Sequence, residues 1–67
     1  MLERLWRMNV IKYWINFRRL EDQTAISVGF KSMEAGLQYK DELIQTDAVI
    51  NVTGSFEPTY SNQILRS

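Results

Sequence analysis

The chain contains no cysteine and no histidine. Those two absences exclude disulfides, thiolate and imidazole metal ligands, and the base that most often activates a serine or threonine nucleophile. Glycine and proline are also scarce, with three and one respectively. The glycines, Gly29, Gly36 and Gly54, stand far apart, so no glycine-rich loop is present to cradle a phosphate. Charge of one sign is lacking too: eight basic residues balance eight acidic ones. A neutral chain has no long-range pull on nucleic acid, although a local patch can still act. No apolar run approaches the ~20 residues of a membrane span. The N-terminal MLERLWR interrupts its apolar residues with Glu3, Arg4 and Arg7, unlike an export signal. The sequon Asn51-Val52-Thr53 therefore carries little weight, and a cytoplasmic protein is expected.

With 67 residues, one domain is the limit. A domain of that size buries only about 60% of its unfolded surface, and the usual staples, disulfides and metals, are missing. Stability must come from packing, self-association or docking onto something larger.

What is present is periodicity. Residues 9–19, NVIKYWINFRR, alternate with a period of two: Ile11, Tyr13, Ile15 and Phe17 on one face, Val10, Lys12, Trp14, Asn16 and Arg18 on the other. The rival is a single amphipathic helix through Leu2, Leu5, Trp6, Val10, Tyr13, Phe17 and Leu20. It leaves Met8, Ile11 and Ile15 near its polar side, so the strand is preferred, with a helical turn over residues 1–8 leading into it. Met8 offers a second start, which would make the first seven residues dispensable. A loop at residues 20–23 leads to a second strand, residues 24–31, with Ile26, Val28 and Phe30 inward. Ser32 is placed to cap a helix over residues 33–45, with Glu34 in its first turn. Its apolar face is expected to be Met33, Gly36, Leu37, Lys40, Leu43 and Ile44. Residues 48–56 give a third strand, with Ala48, Ile50, Val52 and Phe56 one way and Val49, Asn51, Thr53 and Ser55 the other, ended by Pro58.

The expected fold is α+β: a ββαβ domain over residues 9–57, preceded by an extension at 1–8 and followed by a polar tail at 58–67. The right-handed crossover makes the third strand parallel to the second, giving a three-stranded antiparallel/mixed sheet of order 2-1-3 with the helix on one face.

The acidic pairs Glu21-Asp22 and Asp41-Glu42 are sequence neighbours whose side chains diverge, so solvated surface explains them better than a carboxylate dyad or a metal site. Neither an enzyme nor a cofactor is expected. The sheet face away from the helix is the first candidate for binding a partner. It carries Lys12, Trp14, Asn16 and Arg18, flanked by Asn51 and Thr53, and Trp and Arg dominate protein-binding hot spots. The competing expectation is that Trp14 is covered by the chain's own N-terminus or tail. A second candidate is the edge of the third strand, which lacks a guarding lysine, unless the tail folds over it.

The layout in which Lys12-Tyr13-Trp14 opens a strand, followed by a hairpin, one helix and a closing strand, resembles that of small phage-encoded host-takeover proteins. These include inhibitors of bacterial RNA polymerase and anti-CRISPR proteins. The resemblance spans residues 12–57 as topology, without matching residues. The acidic character and last-strand arginines of the polymerase inhibitors are absent, and no site residue carries over. It implies a cofactor-free domain that works by occupying a larger protein. The leading expectation is thus a non-enzymatic protein-binding module, a viral inhibitor or adaptor. A structural or assembly subunit comes second, and a weak nucleic-acid binder using the basic-aromatic face third.

Overall fold

The computed structural model describes residues 11–66. The extension expected at residues 1–8 lies outside them, as does Val10. Strand β1 (Tyr13–Arg19) and strand β2 (Ala25–Phe30) form an antiparallel hairpin. Helix α1 (Met33–Ile44), strand β3 (Val49–Ser55) and a short strand β4 (Gln63–Leu65) follow. The sheet order is β3-β1-β2-β4, with β1 antiparallel to both neighbours and β4 parallel to β2. The fold is α+β, and β1, the strand densest in β-branched and aromatic residues, is central. The expected order 2-1-3 is embedded in the sheet, but among the described residues the sheet has four strands.

The fourth strand comes from the tail. Its backbone docks on the free edge of β2, with the Ser27 amide donating to the Asn62 carbonyl at 2.9 Å and the Arg66 amide to the Gly29 carbonyl at 2.8 Å. All three of its side chains are exposed, so no apolar alternation announces it.

Alternation along the hairpin builds the core. Tyr13, Ile15 and Phe17 from β1 interleave with Ile26, Val28 and Phe30 from β2 in one buried cluster. The helix begins as its sequence requires: Ser32 is extended, and its Oγ accepts from the Ala35 amide at 3.1 Å. The face it buries is turned from the expected one. Gly36 is buried, and Ala35, Tyr39 and Leu43 pack on the core, while Met33, Leu37 and Ile44 remain exposed. Two contacts set this rotation. A Cβ at Gly36 would lie 2.8 Å from the Tyr13 ring, so the glycine marks the closest approach of helix to sheet. Tyr39 tilts against Phe30 with ring centroids 5.2 Å apart, drawing that side of the helix toward β2.

Strand β3 breaks its own alternation. Its pairing with β1 runs Arg19–Val49 and Arg18–Ile50, then resumes at Asn16–Thr53, so β3 carries one extra residue there. Asn51 has φ of 56°, the left-handed conformation that asparagine tolerates better than most residues. Because of this bulge both Val49 and Val52 pack on the core, three residues apart, and Ile50 is exposed. The expected pairing of Ala48, Ile50 and Val52 on one face is therefore corrected for the first half of the strand. A side chain at Gly54 would collide with the Tyr13 hydroxyl, and Phe56 meets the Tyr13 ring edge-on at 5.4 Å.

Candidate functional site

The face away from the helix is not bare. Trp14 is only 8% exposed, its ring lying where a Cβ on Gly29 would come within 2.9 Å. Asn16, beside it in the middle of the sheet, is 0% exposed. The Asn16 amide nitrogen donates to Ser55 Oγ at 2.9 Å and, at a longer 3.4 Å, to Thr53 Oγ1. Its carbonyl oxygen accepts from Ser27 Oγ at 2.7 Å and from the Thr59 amide at 3.2 Å. Ser27 Oγ in turn accepts from the amides of Thr59 and Tyr60 at 3.1 and 2.9 Å. Two neighbouring polar side chains thus hold down the segment that leads into β4, and among the described residues no buried side-chain polar atom lacks a partner.

The six residues expected to form a partner surface have different situations. Lys12 is exposed just before β1. Arg18 is half-buried, and its Nη1 donates to the Gln23 carbonyl at 2.7 Å, which steadies the β1–β2 turn. Thr53 is exposed and borders the Asn16 network, while Asn51 is exposed in the bulge. Trp14 and Asn16 are interior. Of the two expectations for this face, exposed or covered, the covered one holds for Trp14: the hairpin's small residues Ser27 and Gly29 leave room above β2, and chain from the tail lies over Asn16 and Ser27. Period-two reasoning places these residues on one side of the sheet but cannot tell that the tail crosses it.

In the β1–β2 turn, Asp22 lies below its ordinary value of 3.8, because it accepts from Thr24 and pairs with Arg19. The Arg19–Asp22 contact is 2.9 Å and exposed, so it serves the turn. A groove of about 440 Å³ opens between α1 and the β2–β4 side, lined by Phe17, Ile26, Val28, Tyr39, Leu43 and Ile64 among others. The Arg66 guanidinium sits 5.3 Å from the Tyr39 ring centre at this groove. Among the described residues no cluster of carboxylates could hold a metal ion, and no helix is long and apolar enough to cross a membrane.

The other candidate surface is the β3 edge. The tail covers an edge, but it is that of β2, and among the described residues β3 is paired only with β1. Ladder parity tells which groups face outward. The Leu20 amide bonds the Ala48 carbonyl at 3.0 Å, and the Arg19 amide the Thr24 carbonyl at 2.9 Å. Even-numbered residues of β1 therefore bond β3, and odd-numbered ones bond β2. Thr53 and Ser55, opposite Asn16 and Trp14, spend their backbone groups on β1. Val52 and Gly54 point their N–H and C=O groups away from the sheet. No residue of β3, VINVTGS, is charged.

The chain matches no family model, no curated protein and no solved structure.

Proposed function

We propose that this chain is a non-enzymatic protein-binding module that docks by adding a strand of its partner to the β3 edge. The observation that carries this reading is the contrast between the two edges of the sheet. On the β2 side the tail supplies β4, whereas β3 leaves the groups of Val52 and Gly54 free among the described residues. Edge strands that stay single are commonly guarded by lysine, proline, an inward charge or a bulge, and of these β3 has only the bulge at Asn51. Its bulge at Asn51 limits the usable stretch to the half from Val52 onward, enough for a short intermolecular ladder. The inhibitor or adaptor role implied by the layout, and a cytoplasmic location in keeping with a cysteine-free composition, belong to the same proposal.

The test uses the backbone itself. Total synthesis with sarcosine at position 54 methylates an amide that β1 does not use. Affinity capture from lysate with the natural and sarcosine chains is then compared at matched circular dichroism. Loss of the captured protein with the sarcosine chain supports edge docking; undiminished capture refutes it.

A further inference from the structure

We infer that the strand added at the β3 edge comes from a second copy of this chain, pairing antiparallel about a two-fold axis at Thr53. The inference rests on the edge-docking proposal and names its partner. Three observations favour a copy of the chain over an unrelated strand.

The first is register. With Thr53 on the axis, the outward groups of Val52 meet those of Gly54 in the second copy, and the reverse, so both outward pairs are used by one operation. The second is charge. A strand facing itself brings every charge against its like, and VINVTGS has none to oppose.

The third is the helix. Tyr39 leans toward β2, and Gly36 stands over Tyr13 of β1. Continuing around the helix in the same direction, the next positions are Lys40, Met33, Ile44 and Leu37, which therefore overhang the β3 side. Leu37, Met33 and Ile44 are 39%, 47% and 52% exposed, and Lys40 is half-buried among them. A two-fold axis perpendicular to the sheet keeps both helices on one face and turns these two apolar rows toward each other. Antiparallel pairing also carries Phe56, 71% exposed, toward the Val49–Ile50 end of the other copy, where Ile50 is exposed too. Edge hydrogen bonds alone would make a small contact, whereas stable interfaces bury about 1,200–2,000 Å² in total. The helix row and Phe56 supply the apolar area that the edge lacks.

Sedimentation velocity from micromolar to millimolar concentration tests this on the full chain. The natural chain is expected to dimerise, and the dimer is expected to be lost both with sarcosine at position 54 and with Thr53→Lys. The second variant puts two ammonium groups on the axis. Mixing the Thr53→Lys chain with a Thr53→Glu chain should restore a dimer, because the axis position then holds opposite charges. A natural chain that stays monomeric throughout overturns the second-copy inference but not edge docking, which is judged by sarcosine-sensitive capture. A dimer indifferent to both variants places the contact elsewhere and overturns the inference as well.

Discussion

Replacing Asn16 by alanine is the sharpest perturbation of the interior. The Asn16 side chain makes three hydrogen bonds of 2.7–3.2 Å and one longer contact of 3.4 Å. A net value of about 0.5–1.5 kcal/mol per bond puts the three good ones at about 3 kcal/mol together. The loss is not softened by solvent, since the residue is 0% exposed. Ser27 Oγ keeps its two amide donors but loses the acceptor for its own hydrogen, and Ser55 Oγ still donates to the Glu57 carbonyl at 2.6 Å. Stability for a chain of this length is expected at about 3–10 kcal/mol. Asn16→Ala should therefore remove a third of it or more, lowering the melting temperature by roughly 12–24 °C at about 4–8 °C per kcal/mol. Urea denaturation is the assay, run with Ser27→Ala and the double variant. The shared bond predicts a coupling above about 0.5 kcal/mol between the two sites. A cost below about 1 kcal/mol for Asn16→Ala, with additive effects, would refute the idea that this pair holds the tail against the sheet.

Three further outcomes follow from the same geometry. Asn51→Gly should be close to neutral, and Asn51→Ala should cost about 1–2 kcal/mol in thermal or urea unfolding, because φ of 56° suits glycine or asparagine but not alanine. Gly54→Ala should destabilise by about 1–3 kcal/mol through collision with Tyr13, whereas sarcosine at 54, whose methyl points off the edge, should leave the urea midpoint near that of the natural chain. For Asp22 the folded carboxyl titrates below its ordinary value of 3.8, so its contribution is fully present above that pH and fades as pH falls through the lower folded value. Asp22→Asn should thus be less stable than the natural chain at neutral pH, with the gap closing under acid in pH-dependent urea melts.

The hairpin and helix were legible because side-chain pattern determines them. Alternation in NVIKYWINFRR and TAISVGFK predicts which residues build the core under the helix, though not that Trp14, Asn16 and Ser27 on the other face are buried too, and Ser32 announces the helix start. The helix rotation was harder to see: simple periodicity groups Leu37 and Ile44 with Leu43, whereas the burial follows two contacts, Gly36 over Tyr13 and Tyr39 against Phe30. The bulge at Asn51 was visible only as an asparagine between two apolar residues, a pattern that the solvated face of a regular strand produces equally well. Strand β4 and the covering of Asn16 were hidden for a different reason. They depend on backbone amides of Thr59, Tyr60 and Arg66, which every residue but proline possesses. Pattern in side chains cannot report them. One retrospective signal existed: Asn16, Ser27 and Ser55 all fall on one face of the sheet, and three small polar residues at its centre suit an internal hydrogen-bond network as well as a surface.

Amide hydrogen exchange read by NMR addresses the β3 edge without any substitution. In dilute solution Thr53 and Ser55, bonded to β1, should be protected, while Val52 and Gly54 exchange rapidly. At concentrations where the chain associates, the Val52 and Gly54 amides should become protected together with no change in the β1–β2 hairpin. Association that leaves those two amides as fast-exchanging as before would contradict the claim that β3 is the docking edge.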